Sequence, residues 1–294
     1  MQINHENLLQ ILRSIMTPKY YYHFMINPGR YLSKDFINVI FNKIFNITTK
    51  KVSVEQRLKI LDKSVSCLSV ICERHMEPGL YVTSIQKEFA LIKGTTGAEL
   101  LKTLLDKYGS DKGYKNDYHL LYASLLNLVG FFGGGGNIFE IGLGSNYLDQ
   151  VSNMGLSGKP GASLRAFRDF REDAIVYGAD IDHRILFDEE RIHTFQLDQT
   201  SIESWASLKS KLNGKKFSLI IDDGLHNSIA NLTVILEGLE LVEPGGFLVV
   251  EDINIHDLPF YKILQTFLRS QFNCKFMTSL TPTGCVFVAE RHLG

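Results

Sequence analysis

Two acidic pairs carry most of the chemistry available to this sequence of 294 residues: Asp222-Asp223 closes one apolar run and Glu251-Asp252 closes another. Carboxylates gathered in one place repel one another, and a bound cation relieves that repulsion. An all-oxygen set selects a hard ion, Mg²⁺ first and Ca²⁺ or Mn²⁺ next, over zinc. His226 stands three residues past Asp223, at the mouth of a helical stretch, where a neutral imidazole can accept a proton. One Asp-Asp pair alone reads as a capped strand end. Two pairs with a histidine beside one of them read as a site. His256 is a weaker base candidate, and His183 and His193 read as structural.

A second group of residues points to a nucleotide-like ligand. Glu140-Ile141-Gly142-Leu143-Gly144 ends a strand candidate, and its glycines allow a tight turn with close backbone approach. A dinucleotide fingerprint requires a small residue where Tyr147 stands, and Glu140 would repel a pyrophosphate while attracting a cationic ligand. Asp180 ends the next strand candidate, where a ribose diol is commonly held, while Asp182 suits a helix cap. Asp198-Gln199 ends a third and offers polar atoms to an adenine edge.

These residues require a parallel sheet to align them, because ligands of open α/β sheets sit beyond the carboxyl ends of the strands. Seven strand candidates fit one sheet: 138–141, 175–180, 193–197, 217–222, 247–251, 274–279 and 284–289. Helical stretches alternate with them at 118–129, 163–170, 202–212, 229–241 and 259–270. From Glu6 to about Leu91 the apolar residues recur at helical spacing, broken by Pro18, Pro28-Gly29 and Pro78-Gly79. The expected organisation is a helical accessory or oligomerisation region over 1–95, a linker at Gly94–Gly97, and an α/β domain over 96–294.

Composition narrows the function classes. With 31 basic and 32 acidic side chains and 45% hydrophobic residues, the chain is neither disordered nor a general polyanion binder, so neither nucleic acid nor membrane is an expected partner. Residues 1–99 hold 13 basic and 8 acidic side chains and the remainder 18 and 24, which places the acidic chemistry in the second part. Cys67, Cys72, Cys274 and Cys285 show no metal-binding spacing and read as reduced core thiols. No stretch matches a secretory signal or a membrane span, so the expected compartment is the cytoplasm.

The order Glu140-x-Gly-x-Gly, Asp180, Asp198-Gln199 resembles that of class I S-adenosylmethionine-dependent methyltransferases. With Ser110-Asp111-Lys112-Gly113-Tyr114, Gly161-Ala162-Ser163-Leu164-Arg165, Asp222-Asp223-Gly224-Leu225-His226 and Pro244-Gly245-Gly246 before Glu251-Asp252, the stretch from about 108 to 290 resembles the metal-dependent macrolide sugar O-methyltransferases of the mycinamicin and tylosin type. The resemblance implies a Rossmann-like sheet with S-adenosylmethionine and Mg²⁺ as cofactors. It places Ser110, Lys112, Glu140, Gly142, Gly144, Arg165, Asp180, Asp198, Gln199 and Asp222 around the cofactor, Asp223, Glu251 and Asp252 on the metal, and His226 as base. It also implies a hydroxylated small-molecule acceptor, such as the sugar of a glycosylated natural product, and a homo-oligomer. The stretch 146–160 is long for a turn and reads as a lid. Two other readings stand beside this one: a nicotinamide-dependent oxidoreductase, and a non-catalytic binding module on the same fold.

Overall fold

The computed structural model describes residues 82–90, 97–113, 117–131, 136–254, 271–278 and 285–293, with Lys63 and part of the stretch 257–270. The expected helical region up to residue 81 lies outside the described residues, apart from Lys63, as do His256, Cys67 and Cys72. The chain divides into two compact units, and every described residue belongs to the larger, Asp62–Arg74 with Gly79–Gly294.

The strands are β1 (Val82–Ser84), β2 (Ile138–Ile141), β3 (Val176–Asp180), β4 (Asp188–Glu189), β5 (Ile192–Gln196), β6 (Phe217–Asp222), β7 (Val242–Ile253), β8 (Phe272–Thr278) and β9 (Cys285–Arg291). They form one sheet in the order β1-β8-β9-β7-β6-β2-β3-β5-β4. All seven expected strands are present. Two short ones join the edges, and β1 does so from the N-terminal side of the boundary expected at residue 95, pairing in parallel with β8. β9 runs antiparallel to both β7 and β8.

The helices are α1 (Ile85–Ala90), α2 (Ala98–Tyr108), α3 (Tyr118–Phe131), α4 (Ala162–Phe170), α5 (Ile202–Leu212) and α6 (Ser228–Gly238). Sequence reading missed α2, although Leu101 and Leu105 sit four apart and are both buried. Gly97 opens α2, and Gly109, in the left-handed region, closes it by donating to the Leu105 and Asp106 carbonyls.

Side-chain alternation along the strands divides the interior into two layers. Ile138, Val176, Leu219, Ile221 and Val249 face the layer of α2, α3 and α4, with Leu101, Tyr118, Tyr122 and Phe167. Phe139, Tyr177, Ile220, Leu248 and Val250 face the layer of α5 and α6, with Trp205, Leu208 and Val234. The chain runs from β2 outward to β3 and β5, then returns across the sheet to β6 on the other side of β2. The carboxyl ends of β2 and β6 therefore flank the switch point, where such sheets bind ligands. Among the described residues no helix is long and apolar enough to cross a membrane, and Cys274 and Cys285 are buried and unpaired.

Candidate active site

β6 and β7 are parallel neighbours with Asp222 level with Val250, so the two acidic pairs do end at the same edge. Strand parity then separates their members. Ile221 faces the α2–α4 layer, so Asp222 turns the other way. Its buried carboxyl accepts a 3.1 Å hydrogen bond from Gln199 Nε2, and burial pushes it up to about 7. Glu251 follows Val250 and turns toward α3. There it is buried, accepts from the Tyr122 hydroxyl, and lies 2.7 Å from Lys112 Nζ.

Asp223 and Asp252, one residue further along the chain from each, are half-buried. With His226 they offer ligand atoms that all lie within 4.8 Å of one another. His226 Nε2 stands 3.6 Å from Asp223 Oδ1. His226 and Asp252 both have left-handed backbone, at φ 50° and 51°. Strained backbone of this kind at non-glycine residues concentrates at functional sites. Asn227 caps α6 immediately after His226, accepting from Ala230 N, and so fixes where the imidazole leaves the loop. The two carboxylates suit a hard divalent cation, whereas an imidazole is a donor for zinc and other borderline ions, so the preference for a hard ion rests on the oxygen ligands.

Lys112 occupies the centre of the buried part. The Gly109 stop on α2 and the start of α3 bracket it, and the Lys112 carbonyl accepts from His119 N. Its ammonium pairs with Asp223 and Glu251 and lies 3.5 Å from Glu140 Oε1. Burial alone would lower its pKa, but Asp223, Glu251 and Glu140 outweigh burial and hold it well above the usual lysine value. Burial raises Glu140 to about 7 despite that ammonium, and Glu140 Oε2 accepts from Ser163 at 2.6 Å. Glu140 Oε1 has no hydrogen-bond partner, a buried acceptor that a ligand's ammonium group would satisfy.

The glycine turn lies against these groups. A Cβ on Gly142 would run into the Asp223 carbonyl, and Gly142 has φ 91°, so only glycine fits. Asp180 ties the same turn to β3, accepting from Leu143 N at 2.7 Å and Asp182 N at 2.9 Å. Asp182 is the cap expected of it, accepting from Arg184 N. Ser110 is buried beside Lys112.

Three expected cofactor residues have partners within the chain. Arg165 donates to both Glu189 oxygens and to the Pro160 carbonyl and stacks over Phe187, toward the β4 edge. Asp198 Oδ1 caps its own turn through Thr200. Gln199 is buried, donating to Asp222 and accepting from Leu225 N. A glycine-flanked Arg and a strand-end Asp-Gln look the same in sequence whether they serve a ligand or a turn.

The segment 146–160 is an inserted loop whose ends meet, since Gly161 N donates to the Leu143 carbonyl at 2.9 Å. Met154 packs on Gly144, and Ser152 Oγ donates to the Gly224 carbonyl. The loop thus bridges the glycine turn and the Asp223–His226 loop, and it exposes Leu148, Val151 and Leu156. Sequence reading also missed Tyr118 and Tyr122, whose spacing of four on an otherwise apolar helix was the available signal.

The fold is that of the class I methyltransferases: the chain superposes on the MycE methyltransferase of the mycinamycin biosynthetic pathway, solved with Mg and SAH, with a TM-score of 0.51 and 22% identity over 65% of this chain and 54% of that one. In sequence, the chain is 27% identical over 207 residues to the 8-demethyl-8-alpha-L-rhamnosyl tetracenomycin-C 2'-O-methyltransferase of Streptomyces olivaceus, covering 68% of this chain and 51% of that protein. It is 34% identical over 93 residues to the mycinamicin VI 2''-O-methyltransferase of Micromonospora griseorubida, covering 32% of this chain and 23% of that one. The chain thus spans about half the length of the first of these relatives and less of the second. No family model matches it.

Proposed function

We propose that this protein is an S-adenosylmethionine-dependent O-methyltransferase that uses a divalent cation, Mg²⁺ first, and acts on a sugar hydroxyl of a glycosylated natural product. The observation that carries the reading is the convergence of Asp223, Asp252 and His226 beside the Gly142–Gly144 turn. Relatives named as O-methyltransferases of a rhamnosyl tetracenomycin and of mycinamicin VI support the substrate class.

In this reading Glu140 and Lys112 receive the zwitterionic amino-acid part of the cofactor, one charge each, and Asp180 receives its ribose. Asp223 and Asp252 hold the cation, with Glu251 close behind them. A cation bound there lowers the pKa of a hydroxyl it touches. His226 Nε2 takes the hydroxyl proton while the oxygen lone pair forms its bond to the methyl carbon and the carbon–sulfur bond breaks, its electrons returning to sulfur. The chain supplies alignment and charge, and the loop 146–160 shields the reacting atoms from water.

A nicotinamide oxidoreductase fits the geometry less well. Tyr147 lies under the Arg184 guanidinium, and α4 begins only after the inserted loop, so no helix opens directly on the glycines to receive a pyrophosphate. The test is transfer of labelled methyl from S-adenosylmethionine to a panel of rhamnosides and macrolide glycosides. Labelled product that disappears with EDTA and returns with Mg²⁺ is expected. Absence of transfer across the panel favours a binding module, and transfer indifferent to EDTA removes the cation from the mechanism.

A further inference from the structure

We infer that Tyr118 is a positioning residue for the cation site, its hydroxyl fixing the Asp252 carboxylate in the orientation that faces Asp223 and His226. The inference rests on the divalent-cation reading above and extends it to a residue on a different element.

Asp252 lies at the carboxyl end of β7 with a left-handed backbone, a conformation that persists where surrounding contacts fix it. Tyr118 Oη donates to Asp252 Oδ1 at 2.7 Å. The donor is rigid. Tyr118 is fully buried and packs edge-to-face on Tyr122, with centroids 6.3 Å apart, and Tyr122 packs likewise on Phe167 at 5.4 Å.

One helical turn later Tyr122 donates to Glu251 in the same way. Two tyrosines on one face of α3 therefore hold two successive carboxylates of β7. A hydrogen bond from a packed donor orients a ligating carboxylate, and its loss typically lowers metal affinity about 10–100-fold.

The experiment compares the full chain with its Tyr118→Phe and Asp252→Asn variants by Mn²⁺ titration, read from the electron paramagnetic resonance signal of the free ion. Tyr118→Phe keeps the packed ring and removes one oxygen. Expected are a rise of about tenfold or more in the Mn²⁺ dissociation constant, unchanged S-adenosylhomocysteine affinity by calorimetry, and an unchanged thermal midpoint without metal. Wild-type Mn²⁺ affinity in Tyr118→Phe, alongside its loss in Asp252→Asn, overturns the inference and leaves the cation reading standing. Loss of affinity together with a lowered metal-free midpoint shows a general packing role and also overturns it. Failure of the wild-type chain to bind Mn²⁺ overturns the cation reading and the inference together.

Discussion

Replacing Lys112 with Met removes the ammonium from the centre of the site while keeping a side chain of similar length. In the native structure that ammonium lies 2.7 Å from Glu251 and 3.5 Å from Glu140 and pairs with Asp223, and all of these except Asp223 are buried. Its loss leaves Glu140 and Glu251 uncompensated in the α2–α4 layer. Breaking a buried pair by removing one partner typically costs about 3–5 kcal/mol. For a domain of this size each kcal/mol lowers the melting temperature by about 2–4 °C, so a fall of about 6–20 °C is expected.

The pH dependence has a definite sign. Burial already raises both carboxyls, Glu140 to about 7, and losing the ammonium raises them further. Groups whose folded pKa exceeds the unfolded value lose their stabilising contribution as pH rises, so the variant is more damaged at pH 8 than at pH 6. Thermal and urea denaturation across that range, with and without Mg²⁺, measure the effect. Adding Glu251→Gln restores part of the loss, and Mg²⁺ raises the variant's midpoint more than the wild type's, because a cation then does the neutralising that Lys112 did. A loss below about 1 kcal/mol, far under the cost of an unpaired buried charge, refutes the view that Lys112 holds the carboxylates together.

Two further outcomes follow from the same geometry. His226→Ala lowers kcat by about 10²–10⁴-fold, the usual contribution of a positioned base, while the S-adenosylhomocysteine dissociation constant stays unchanged; a large loss of cofactor affinity would assign the imidazole to binding instead. The buried Asp222 carboxyl, at about 7, binds a proton in the folded chain that the unfolded chain, at about 3.9, has already released. Its contribution is therefore full below about pH 4 and lost by about pH 7, so Asp222→Asn should flatten the fall of the melting temperature between pH 5 and 7, and an unchanged slope would contradict the burial argument.

The sheet was legible because its strands are short apolar runs ending in residues whose types are wrong for a core, such as Asp180, Asp222 and Glu251. The convergence of the two acidic pairs was legible once β6 and β7 were taken as neighbours. The sequence reading placed Asp222 toward the cofactor or the helix behind it and Glu251 on the metal, and strand parity refines this: Ile221 and Val249 face one layer and Ile220 and Val250 the other, which sends Asp222 toward α6 and Glu251 toward α3. Lys112 was expected at the cofactor, and the structure adds that it neutralises the cluster, a role set by the Gly109 stop and the start of α3. Arg165 could not be told from a ligand-binding arginine because its partner, Glu189, lies on β4, a strand of two residues with no sequence signature.

The most direct measurement is anomalous diffraction from crystals grown with Mn²⁺ and S-adenosylhomocysteine. A manganese peak bound by Asp223 and Asp252, within reach of His226, is expected, with the cofactor's sulfur beside it over the Gly142–Gly144 turn. A peak elsewhere, no peak at all, or a cofactor bound away from that turn would contradict this arrangement.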